Sequence, residues 1–243
     1  MPKERRWARA PRDFAPLVLA LALCPVAAAA APGRAAPVER MHGLIDAERA
    51  LGLFFEPWLH ARVASWPPLL HVLDFAYVGV HLPVTLGVLV WVWLSRPNAF
   101  VLARNTLVGA QTLSAIGYLA VPTAPPRMVA GLGYSAALGP GDHGLGRLVQ
   151  SPYAAMPSAH TAFALITAGV VFSLARPRIV RLLALLYPAA VLVEIFATGN
   201  HIWLDSAGGA VAAAMGLALA LAIRARAGQV GTPALEPARS RTS

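Results

Sequence analysis

Cysteine is almost missing from this chain: Cys24 is the single one in 243 residues, and it lies inside an apolar run. That excludes disulfides within the chain and any metal site built on cysteine. Charge is scarce too, at 13% of residues against 57% hydrophobic. A soluble domain cannot keep that much apolar surface from water. Alternating apolar and polar residues are also lacking. The hydrophobic residues come instead in long blocks, and no solenoid-type repeat is visible. The chain reads as an integral membrane protein with one domain. Its formal charge of +9 invites a nucleic-acid partner, but the arginines sit in short clusters beside apolar blocks, as topology signals do. No nucleic-acid partner is expected.

What is present is a series of apolar blocks. Lys3, Arg5, Arg6, Arg9 and Arg12 precede an uncharged run from Phe14 to Ala31. This fits a short spanning helix and also a signal peptide, and a retained helix is expected. From Met41 to Ser65 the residues Leu44, Leu51, Phe54, Phe55, Trp58 and Leu59 recur at helical spacing, with Asp46, Glu48, Arg49, Glu56 and Arg62 between them. The pattern predicts an amphipathic helix lying on the membrane surface or against the bundle, its acidic residues forming a solvated face. Further spans are expected over Leu69–Leu94, from Asn98 to Val121, over Ser158–Ala175, over Leu182–Ala197, and from the Asn200–Asp205 connector to Ile223. Tyr77 and His81 share a face of the Leu69–Leu94 span, the second counted from the N-terminus. An imidazole there serves either function or packing. Glu194 lies near the far end of the fifth. The fold class expected is an all-α polytopic membrane bundle of about six transmembrane helices plus an outer amphipathic helix. Residues 225–243 are expected to form a disordered tail.

Positive-inside counting puts the N-terminus, Arg96, Arg104, Arg176, Arg178, Arg181, Arg224 and Arg226 on one side, the cytoplasmic one. Three polar elements then fall together on the opposite face. They are the loop Pro122–Tyr153 with its six glycines, the helix start at Ser158–His160, and the connector His201–Asp205. Arg127 and Arg147 also lie on that arginine-poor side, where an anionic partner best explains a cation.

The chemistry follows from the residue types. Pro157 disfavours helix at Met156 and Ser158 is a good N-cap, so His160 falls in the first turn of a helix. Such an end presents unpaired N–H groups and the positive end of the helix dipole, a ready site for phosphate. His201 and Asp205 are spaced to share a helix face. A carboxylate on one imidazole nitrogen fixes the tautomer and frees the other nitrogen as nucleophile or base. With His160 this gives two imidazoles in different environments, as acid and base roles require. Two histidines and an aspartate also make a plausible zinc set, but the Ser158 cap and Arg127 favour anion binding, so neither metal nor cofactor is expected.

Three segments carry a family resemblance: Pro125-Pro126-Arg127, Ala155-Met156-Pro157-Ser158-Ala159-His160 and Asn200-His201-Ile202-Trp203-Leu204-Asp205. They resemble the signature segments of the type 2 phosphatidic acid phosphatase superfamily, most of all its branch of inositol phosphorylceramide synthases and related inositolphosphotransferases. The resemblance covers roughly Tyr77 to Gly209 and implies a catalytic domain over residues 41–224. It implies a phosphohistidine formed on His201 with help from Asp205, His160 as proton donor to the leaving alkoxide, and Ser158 holding phosphate. Arg127 and Asn200 are the further substrate-binding candidates. The substrate implied is a phospholipid or lipid phosphate, handled on the outer, non-cytoplasmic face of the cell membrane. The chain departs from the phosphatase pattern in three places. Only Arg127 stands in the first segment, Glu194 and Ile195 occupy the place of a Ser-Arg pair, and Ala159 replaces a glycine. Transfer from a phosphodiester donor, hydrolysis of a phosphatidic acid or polyprenyl phosphate, and a non-catalytic lipid-binding role remain the alternatives.

Overall fold

In the computed structural model, residues 7–30, 33–135 and 153–230 are described. They form α1 (Ala10–Ala29), α2 (Ala35–Ala50), α3 (Glu56–Ala64), α4 (Pro67–Gly79), α5 (His81–Ser95) and α6 (Pro97–Ala120). A single 3₁₀ turn (Pro126–Met128) follows, then α7 (Ala159–Leu174), α8 (Arg178–Ala197) and α9 (Trp203–Val230). Helices α3, α4 and α6 each carry proline in their first turn, where the missing N–H has no intrahelical role and the fixed φ suits the helix.

Two expected elements are broken. The amphipathic helix foreseen from Met41 to Ser65 is two helices, because Gly52 takes φ 68° after α2 and the Leu53 N–H turns back to the Glu48 carbonyl at 2.9 Å. This left-handed cap closes one helix and redirects the chain into the next. The span foreseen from Leu69 to Leu94 bends by 45° between α4 and α5. Pro83, in the first turn of α5, has no N–H to donate, and its ring cannot pass the carbonyl one turn back.

The expectation of about six spans is met only in its coarser form, an all-α membrane bundle. Arg178–Ala197 and Trp203–Ala227 are long and apolar enough to cross a membrane, and the bent α4–α5 pair makes a third if it counts as one span. Helix α7 has 16 residues, about 24 Å at the standard rise and short of a hydrocarbon core about 30 Å thick. Helix α6 is long enough but carries Arg104, Asn105 and Gln111. The last helix continues past Ile223 to Val230, taking in the start of the segment expected to be a tail; residues 231–243 lie outside the described residues.

Helix α9 packs on α6 and α7, α7 on α8, and α1 on α6. The main core joins Leu17 of α1, Leu89, Val92 and Trp93 of α5, Phe100 and Leu107 of α6, Phe163 and Ile166 of α7, and Ala213 of α9. Leu182, Leu183, Leu185 and Leu186 of α8 are all exposed, an apolar surface fit for lipid. A smaller cluster of Met41, Ile45, Val129, Ala155 and Ile202 ties α2 to the loops around the site.

Candidate active site

Two helix starts and one turn bring the polar segments together. Ser158 ends the extended stretch before α7, and its hydroxyl accepts from the Thr161 N–H at 3.3 Å. Its own N–H donates to the Asp205 carbonyl at 2.9 Å, which joins the start of α7 to the start of α9. Gly209 permits that approach: a Cβ there would lie 2.2 Å from the Ser158 carbonyl oxygen, so no larger residue fits. The 3₁₀ turn is held by the Arg127 N–H donating to the Gly199 carbonyl at 2.9 Å.

The structure brings His160, His201 and Asp205 into one place. The two imidazole centroids are 5.6 Å apart, with ring planes at 55°. Nδ1 of His201 is 3.2 Å from Oδ1 of Asp205, a contact not aligned as a full hydrogen bond. The ring also meets the Ala155 carbonyl. Burial lowers the His201 pKa to about 3, so at neutral pH the ring is uncharged with a lone pair available. Asp205 is fully buried, and its Oδ2 accepts from the Ile202 N–H at 3.2 Å.

Arg127 approaches the same cluster from the opposite loop. Its Nη1 donates to Oδ1 of Asn200, whose Nδ2 donates to Thr198 Oγ1 at 2.7 Å. The guanidinium is half-buried, while Asn200 and Ser158 are buried. A planar donor fork beside an open helix N-terminus suits a phosphoryl group. Arg147 lies outside the described residues. Among the described residues no three His, Cys, Asp or Glu side chains converge to hold a metal ion.

Several neighbours of this cluster are less legible in the sequence. Tyr77 stacks on His160 with centroids 4.2 Å apart and planes at 17°, and His81 lies 4.9 Å from the same ring. The shared face of Tyr77 and His81 therefore looks onto His160. Nδ1 of His81 pairs with the Tyr187 hydroxyl at 2.9 Å. The acidic residues of the outer helices are a plain correction: Glu48 and Glu56 are fully buried and form no solvated face. Oε1 of Glu56 accepts from the Trp203 N–H at 2.8 Å, and Oε1 of Glu48 from the Leu204 N–H at 2.5 Å. A signal for this was present. Met41, Ile45 and Glu48 repeat at helical spacing, as do Glu56, His60 and Val63, and all six are buried. Each glutamate thus sits on an inward stripe, not opposite one.

No curated protein and no solved structure matches the chain. Residues 42–219 match the PAP2 superfamily, a span that takes in the later part of α2, all of α3, the arginine turn and both histidine segments. The chain belongs to the PAP2 superfamily and is, as such, a phosphatase or phosphotransferase enzyme.

Proposed function

We propose that this enzyme transfers a phosphoryl-bearing group from a lipid donor to a hydroxyl acceptor through a phosphohistidine on His201. The observation that carries the reading is the joint placement of His160 and His201, 5.6 Å apart, with Arg127 held beside them on Asn200. A proton on Nδ1, on the side of Asp205, leaves Nε2 of His201 to attack phosphorus. The P–N bond forms as the bond to the leaving alkoxide breaks, and His160 supplies the proton that the alkoxide takes up. In the second half an acceptor hydroxyl attacks phosphorus, His160 takes its proton, the P–N bond breaks and His201 is restored. Arg127, Ser158 and Asn200 hold the phosphoryl oxygens, where preorganised donors count most. Neither metal nor cofactor is required by these steps.

The Pro125-Pro126-Arg127 segment, with arginine alone, supports the synthase-like, inositolphosphotransferase reading. A phosphodiester donor carries less charge than a monoester and needs fewer cations around it. Hydrolysis of a phosphatidic acid or polyprenyl phosphate is the second reading, with water as acceptor. The site is assigned to the outer face of the cell membrane because the arginine-bearing turns lie at the other ends of the helices. Purified protein in detergent, given labelled phospholipids with and without inositol or ceramide, tests the reaction. A labelled acceptor product supports transfer, free phosphate supports hydrolysis, and no acid-quenched phosphohistidine from any donor ends the proposal.

A further inference from the structure

The start of α9 is where carboxyl groups crowd. The N–H groups of Ile202, Trp203 and Leu204, which have no intrahelical acceptor, go to Asp205, Glu56 and Glu48 in that order. A helix normally caps itself with one neighbouring side chain. This one draws two carboxyls from an outer pair of helices about 150 residues earlier in the chain, far beyond any local capping motif. The same pair grips the other side of the site. Arg40 donates to the Pro122 carbonyl at 2.9 Å, Arg34 to the Met128 carbonyl at 3.2 Å, and the Ala124 N–H to the Pro37 carbonyl at 3.0 Å. His60 of α3 sits with Nδ1 2.6 Å from the Ala197 carbonyl, at the end of α8 just before the His201 connector. Helices α2 and α3 therefore hold both the Arg127 turn and the His201 connector.

Resting on the phosphohistidine reading above, we propose that Glu48 and Glu56 are positioning residues for the reaction. By taking the Leu204 and Trp203 N–H groups they fix the first turn of α9, and with it the direction in which Asp205 meets His201. The His201–Asp205 contact, at 3.2 Å, is within reach but off-line, so a small rotation of that turn breaks it. Glu48 also faces Glu56 from α3, Asp205 from α9 and Tyr134 from the loop after the 3₁₀ turn. Burial first, then these two carboxylates, raise its pKa to about 8, and burial raises that of Glu56 as well. Near neutral pH Glu48 therefore carries its proton and caps without adding a further negative charge beside Asp205.

The test uses the full-length protein in detergent, with acid-quench trapping and steady-state kinetics on the same preparations. Glu48→Ala and Glu56→Ala should each lower kcat about ten- to a hundredfold while KM stays within about twofold, the scale seen when an outer support of a reactive group is lost. Glu48→Gln and Glu56→Gln should regain most of the rate, since an amide oxygen accepts the same N–H. Wild-type kcat should fall as pH rises through about 8, and Glu48→Gln should lack that fall. Unchanged kcat in the alanine variants overturns the inference, as does an alkaline limb identical in Glu48→Gln. If the alanine variants do not fold, the glutamine pH profiles decide alone. Should wild-type protein form no phosphohistidine, it is the functional reading that fails. If it forms one and the glutamate variants behave as wild type, the positioning role alone is lost.

Discussion

The two helix starts that meet at the site put the same physics to opposite uses. Each exposes the positive end of a dipole and N–H groups without intrahelical partners. At α7 the cap is a neutral hydroxyl, Ser158, and the Tyr118 hydroxyl lies against the Ala159 N–H. No carboxylate caps that end, and it is left suited to an anion. At α9 three carboxyl oxygens already take the N–H groups of Ile202, Trp203 and Leu204. That end is closed to phosphate. The contrast indicates how one site can direct a phosphoryl group to one side and keep a histidine paired with a carboxylate on the other. Two open helix ends would compete for the same anion.

The α9 side is tested hardest by His201→Ala. It should abolish the trapped phosphohistidine and lower turnover on the order of 10⁴-fold or more. An active His201→Ala would transfer the nucleophile elsewhere.

His160→Ala should cost less, about 10²- to 10⁴-fold with a poor leaving group. A nitrophenyl phosphate ester should partly rescue it and should not rescue His201→Ala. Rescue in the reverse order would exchange the roles of the two helix ends. Arg127→Ala should lose about 10²- to 10³-fold, the size seen when one preorganised donor to a developing charge is removed. Arg127→Lys should recover little, because an ammonium does not reproduce the planar fork. Near-normal turnover in Arg127→Ala would remove the arginine from the phosphate site.

A direct way to break the comparison is Ser158→Asp, which gives α7 a charged cap like those of α9. Aspartate caps a helix about as well as serine, and thermal unfolding checks that the fold tolerates a carboxylate at this buried position. Turnover should fall at least about tenfold, the effect of one like charge a few ångströms from the substrate in a partly dry site. Unaltered activity would mean that the α7 end does not hold the phosphate.

The smallest effect concerns stability. Glu48 has a folded pKa of about 8, above the ordinary carboxyl value. Its contribution is therefore full below the unfolded pKa near about 4.3 and is lost as pH rises through the folded one. The thermal midpoint in detergent should decline by a few degrees between about pH 5 and about pH 8. In Glu48→Gln the profile should be flatter, and a slope as steep as wild type would assign the decline to another group.

The sequence by itself determined the membrane character, the all-α class and which segments carry chemistry. Long apolar blocks with 13% charged residues leave no other class, and serine after Met156-Pro157 or histidine spaced from aspartate as on one helical turn is local information. It also placed Arg127, Ser158, Asn200, His160, His201 and Asp205 on one expected face, through the order of the spans and the arginine bias. Tertiary structure alone decided the rest. The outer helix broke at Gly52 because a left-handed cap is chosen by what the turn must reach, and the α4–α5 bend set Tyr77 and His81 against His160. Glu48 and Glu56 turned inward because their oxygens answer N–H groups about 150 residues away. A carboxyl is costly to bury unless it is hydrogen-bonded, and its partners here belong to another helix. Local spacing showed the stripe each glutamate lies on; the acceptor it was needed to be appeared only once α9 stood beside it.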